Sequence, residues 1–233
     1  MSGVPGRRPA LQFRSLPPLA LHCKVYGMET NQAAENLQVI RTLMERSALY
    51  RRTLAPIMIF AGVMGVAGAI MGMALHLHST RTFCSFWLNV AFLALIGAFL
   101  IARRQALKDR ESFWSPPTRR VGQALMVPLA AGLIFSTTLL TLDLERGRWL
   151  FIFATLLFYG CALHAAGFFM VRGMKFFAWI LISLGGATLF TLSVTRSEAN
   201  PVIDHALMGF FFGVLHLAYG VYLYFTEQRK NVA

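Results

Sequence analysis

Six stretches of this chain contain no Asp, Glu, Lys or Arg: Ala55–Leu77, Cys84–Ala102, Val121–Leu142, Trp149–Val171, Phe176–Val194 and His205–Phe225. Each meets or approaches the ~20 apolar residues that an α-helix needs to cross ~30 Å of hydrocarbon. Lipid demands such runs, because an ionised side chain loses its hydration there. Backbone groups in hydrocarbon must bond to one another, so each run is expected as a helix. Composition agrees: 56% of residues are hydrophobic and 14% charged, against about 25% charged in soluble domains. The expected fold class is all-α, a polytopic membrane protein with six transmembrane helices.

The formal net charge of +12 raises nucleic acid as a partner, but the placement of the charge argues against it. Of the 22 Lys and Arg, only Arg81, Arg146, Arg148 and Arg196 fall in the connections after spans one, three and five. The other eighteen sit in the tails and in the connections after spans two and four. Basic residues accumulate on the cytoplasmic side of a bacterial inner membrane, so both termini are expected there. The excess then reads as a topology signal with attraction to anionic lipid, and the expected partner is the bilayer.

Residues 1–27 are unlike the rest, with prolines, scattered basic residues and no sustained period. As a secretory signal the tail is too short in apolar residues and broken by Pro17 and Pro18. Arg7 and Arg8 lack the apolar run of a twin-arginine signal, and His22 stands where a lipoprotein anchor at Cys23 needs a small residue. The tail is expected to be disordered, or a misassigned extension of a protein that starts at Met28. Over 28–54, Leu37, Ile40, Leu43, Met44 and Ala48 recur at helical spacing, with Asn31 as a cap. This predicts an amphipathic juxtamembrane helix lying on the inner leaflet or docked on a cytoplasmic partner. Residues 55–225 form the six-helix domain, and 226–233 a cytoplasmic tail.

Chemistry-bearing motifs are sparse. There is no phosphate-binding or dinucleotide-binding glycine loop and no H-E-x-x-H. The three cysteines, Cys23, Cys84 and Cys161, form no paired framework. The longest inner loop, "RRQALKDRESFWSPPTRR" (103–120), is broken by Pro116 and Pro117, with Trp114 expected at the interface. An inverted repeat of three helices is not supported, because spans two and three do not map onto four and five.

What does recur is glycine with histidine. In span six His205, Gly209, Gly213, His216 and Gly220 share one helical stripe; span four repeats the pattern with Gly160, His164 and Gly167, and span one with Gly65, Gly68, Gly72 and His76. Small residues let helix backbones approach, so these glycines are expected at helix–helix contacts. His216 should therefore face the bundle interior as a neutral imidazole, bonded across an interface. Tyr159, Tyr219, Ser136, Thr137 and Ser183 are the partners on offer. A functional alternative is haem b, with His164 and His216 as axial ligands; their depths differ by roughly 6 Å at 1.5 Å per residue. A second is a zinc or copper site from His76, His78, Asp204 and His205, which requires spans one and six to be neighbours. Without these, no cofactor is expected.

Two resemblances bear on function. Six spans with "HALMGFFFG" in the last are similar to rhomboid intramembrane proteases, but their Gly-x-Ser-Gly motif in span four is replaced here by "FYGCALHAAG". No catalytic role is carried over. The stretch "LQVIRTLMERSALYRRTLAPIM" (37–58), followed by glycine-rich spans, resembles an uncharacterised family of small multi-pass bacterial membrane proteins. That likeness implies six helices in a bacterial inner membrane and imports no activity. The expected function is a non-enzymatic interaction or regulatory module, oligomeric through its glycine faces. A haem- or metal-binding redox component comes second and a small-solute permease third.

Overall fold

The computed structural model describes residues 53–108, 113–142, 144, 146–170, 172–194 and 200–232, with Leu37 standing alone before them. The expected tail 1–27 and all of the expected juxtamembrane helix but Leu37, Thr53 and Leu54 lie outside the described residues. The unit Ser47–Ala233 is all-helical among the described residues, with six helices long and apolar enough to cross a membrane.

The helices are α1 (Thr53–Ala74), α2 (Thr80–Lys108), α3 (Pro116–Leu142), α4 (Gly147–Ala166) and α5 (Arg172–Val194). The sixth span is composite: α6 (Pro201–Met208), a π turn over Gly209–Val214, and α7 (Leu215–Val232). Helices overrun the uncharged stretches where the chain leaves hydrocarbon, because a basic side chain can reach outward while its backbone stays helical. Thus α2 carries Arg103, Arg104 and Lys108 at one end. The last span begins at Pro201, capped by the Asn200 side chain, which accepts from the Val202 N–H at 3.0 Å. Asp204 therefore lies inside the first turn of a membrane-length helix, whereas the uncharged run alone leaves it outside the span. At the other boundary α1 stops at Ala74, so His76 leaves the helix, with a left-handed φ of 51°. It does not continue the stripe of Gly65, Gly68 and Gly72.

Two packing themes organise the unit. Helix α4 packs along α5 and α3 and touches α2 and α6. Helix α1 lies along the sixth span, backbone to backbone. A Cβ at Gly213 would sit 2.8 Å from the Val66 nitrogen, and one at Gly220 2.8 Å from the Ile59 nitrogen. From the α1 side, a Cβ at Gly62 would sit 2.6 Å from the Leu217 nitrogen, and one at Gly65 would overlap the Phe212 carbonyl. Gly209 meets Ala69, while Gly160 sits against Ile182 and Ala178 of α5. The glycine faces are thus used within the chain. Gly68 instead lies under Val90 and Trp87 of α2, and Gly167 ends α4, its N–H donating to the Leu163 carbonyl at 2.8 Å.

Helices α2 and α3 are peripheral. Thr80, Phe83, Cys84 and Trp87, the buried residues of α2, all lie in its first part. Phe92, Leu93, Leu95, Phe99, Val127 and Ile134 are exposed apolar side chains. In hydrocarbon such surface costs nothing, because lipid is as apolar as leucine.

Candidate functional site

The polar interior gathers at two places along the sixth span. The first is the end of the bundle where α1 passes to α2, α3 to α4 and α5 to α6. Asp204 and His205 are both fully buried there, carried into the bundle by the Asn-Pro start of α6. The Asp204 carboxylate accepts from Arg148 Nε at 2.6 Å, and the same guanidinium donates to the His78 carbonyl. Arg148 is in the first turn of α4, so one side chain ties α4 to both α6 and the α1–α2 connection. Thr80 donates to the Leu144 carbonyl at 3.1 Å and Arg81 to the Leu140 carbonyl at 3.2 Å. Four helices and two connections are cross-tied by these groups.

His205 points the other way, into α1 and α2. The indole N–H of Trp87 donates to its Nδ1 at 3.1 Å, and Phe83 and Phe86 bracket the ring at 4.8 and 6.1 Å. Gly72 is what makes room: a Cβ there would overlap Nδ1. An indole N–H can only donate, so Nδ1 accepts and Nε2 carries the ring proton. Both His205 Nε2 and Asp204 Oδ1 are buried without a hydrogen-bond partner. The Leu77 backbone also lies beside the imidazole.

The second place is His216, also fully buried. Its Nδ1 lies 3.1 Å from the Phe211 carbonyl and its Nε2 3.1 Å from the Tyr159 hydroxyl. A carbonyl only accepts, so Nδ1 bears the proton, and in the neutral ring Nε2 accepts from Tyr159. Phe177 stands edge-on at 5.0 Å, while Tyr159 and Phe212 stack at 5.6 and 5.8 Å. The imidazole faces α4 and α5, while Gly213 before it and Leu217 and Gly220 after it lie against α1.

These details decide how the expected ligand sets fit. For haem, His216 has no lone pair to spare as it stands, since Tyr159 occupies Nε2. The ring contacts of His164 are with Phe168 and Trp179, each at 5.5 Å, and none of the described contacts joins it to His216. For a metal, spans one and six are indeed neighbours, yet the donors diverge. Asp204 faces Arg148, and His205 could reach a metal only by giving up its Trp87 bond or its Nε2 proton. His76 and His78 are both exposed and stack on each other at 5.8 Å. Among the described residues no group of three or more His, Cys, Asp or Glu is arranged to hold a metal ion.

Sequence reasoning does not find Arg148 or Trp87. Arg148 reads as one outer-loop charge, and Trp87 as a lone indole in an apolar span. The usable signal is Asn200-Pro201 with Asp204 in the next turn, a helix-start signature that places Asp204 in the bundle and calls for a cation. Compared with protein-family models, with curated proteins and with solved structures, the chain gave no match.

Proposed function

We propose that this chain is a non-enzymatic membrane module, seated in a bacterial inner membrane with both termini cytoplasmic. The observation that carries the reading is that Asp204, His205 and His216, the buried polar residues of the sixth span, each hold a side chain of another helix. Arg148 links α4 to α6, Trp87 links α2 to α6, and Tyr159 links α4 to α7. A catalytic site instead needs a nucleophile within reach of a base and open to a substrate; the one hydroxyl–imidazole pair among these groups, Tyr159–His216, is closed in by Phe177 and Phe212. In the orientation favoured by the eighteen inner basic residues, the Arg148–Asp204 clasp lies at the outer surface. With the glycine faces closed inside the chain, the exposed rows of α2 and α3 are where lipid or a second membrane protein meets the module.

The test has two arms. Reporter fusions after residues 79, 146 and 198 should report outside, and one after residue 110 inside; a periplasmic signal at 110 overturns the orientation. A photoreactive side chain at Phe92 or Ile134 should give a discrete crosslinked species in membranes if the module works through a partner. Solute flux through liposomes holding the pure protein, abolished by Arg148→Ala, would replace this reading with the permease.

A further inference from the structure

The sixth span is held at two heights by different partners, with the π turn between them. On the α6 side Arg148 of α4 fixes Asp204 and Trp87 of α2 fixes His205. On the α7 side Tyr159 of α4 fixes His216, which also rests on Phe177 of α5. A π turn holds about one residue more than an α turn, so the helix beyond it lags by up to ~100°. With that lag, α7 sets Leu217 and Gly220 against α1 and His216 beside Tyr159.

Such turns are rare, and this one is supported from outside. The Phe211 carbonyl within it accepts from His216 Nδ1 at 3.1 Å. Gly209 at its start meets the Ala69 side chain of α1, and a Cβ at Gly213 would lie 2.7 Å from the Val66 side chain. The two flanking halves are unequal. The α6 half has 8 residues and the α7 half 18, and α7 is seated along α1 at Leu217 and Gly220.

We infer that Gly209–Val214 is a register switch coupling the Trp87–His205 site to the Tyr159–His216 site. While both anchors hold, the turn stays wide. When the His216 anchor is released, the segment relaxes to α geometry and the short half, α6, turns about its axis, withdrawing His205 from Trp87. The coupling is reciprocal, as any equilibrium coupling must be.

Trp87 reports on this directly. The protein has 4 tryptophans, so Trp114→Phe, Trp149→Phe and Trp179→Phe together leave Trp87 as the sole emitter in detergent micelles. His205→Leu, which removes the acceptor outright, sets the scale of the emission shift. Tyr159→Phe, which touches neither Trp87 nor His205, is expected to move the emission in the same direction. Deleting Phe210 removes the extra residue. The deleted protein is expected to fold, to emit like the parent, and to be insensitive to Tyr159→Phe. Parental emission from Tyr159→Phe in the undeleted protein overturns the inference. So does a deletion protein that misfolds or that emits like His205→Leu. If Tyr159→Phe does not fold, the deletion protein decides alone.

Discussion

Two histidines on one span are equally buried and differently employed. Around His216 every hydrogen-bonding position of the ring is filled and three aromatic rings close the space. Around His205 only Nδ1 is filled; Nε2 and the neighbouring Asp204 Oδ1 have no hydrogen-bond partner. An unmade bond on a buried polar group costs about 1–3 kcal/mol; at the His205 end that cost falls on the imidazole itself, whereas at the His216 end it falls on the Tyr219 hydroxyl one turn away. Burial alone therefore does not separate a packing histidine from a site. Counting the filled positions on each ring does.

The comparison breaks most forcefully at the ion pair. Asp204→Ala removes the Asp204 carboxylate from the Arg148 guanidinium, whose side chain is only 11% exposed. Removing one partner of a buried pair costs about 3–5 kcal/mol, measured here as a lowered midpoint of SDS-induced unfolding. Arg148→Met combined with Asp204→Leu should recover most of that loss, because two desolvated charges are removed together. A double variant as unstable as Asp204→Ala would mean that the clasp is held by the His78 carbonyl contact rather than by the pair.

A second break uses glycine. Gly72→Ala forces a methyl into the His205 ring, so the Trp87 bond must yield; overpacking of this kind costs about 1–3 kcal/mol. Gly186→Ala, in α5, has nothing within 4 Å of the added carbon. It should be neutral or stabilising by up to about 1 kcal/mol through helix propensity. Opposite signs for two Gly→Ala changes in membrane helices are expected from thermal unfolding in detergent. Equal effects would show that Gly72 is not the seat of His205.

Much of the bundle is legible in the sequence because lipid imposes contiguity: the absence of charge over ~20 residues is a signal that needs no knowledge of neighbours. The glycine faces are legible for a related reason, since small residues at helical spacing have few other uses in a span. Span ends are not. Uncharged runs undercount helices whose ends carry Arg103, Arg104 and Lys108 in α2 or Lys175 in α5, and the same undercount hides Asp204. The π turn over Gly209–Val214 escapes because periodicity assumes 3.6 residues per turn throughout. "GFFFG" gives no local warning that its turn is wider. Arg148 and Trp87 escape because their partners are distant in sequence, and only the packing of α2 and α4 against α6 brings them together.

The finest discrimination is among histidines themselves. His216→Leu removes the donor to the Phe211 carbonyl and the acceptor for the Tyr159 hydroxyl. An interhelical bond such as that to Tyr159 is worth about 0.6–2 kcal/mol, and the loss should appear in SDS unfolding. His216→Gln keeps one donor and one acceptor on a side chain of similar reach, so it should cost less than His216→Leu. His164 supplies the contrast. It is half-buried, and among the described residues its ring contacts are with Phe168 and Trp179. His164→Leu exchanges one apolar-compatible body for another and should stay within about 0.5 kcal/mol of the parent. The order His216→Leu, His216→Gln, His164→Leu therefore tracks the number of hydrogen-bonding positions lost rather than the number of histidines removed. If His164→Leu were the most damaging of the three, that counting rule would fail, and the ring of His164 would hold a partner stronger than its two aromatic neighbours.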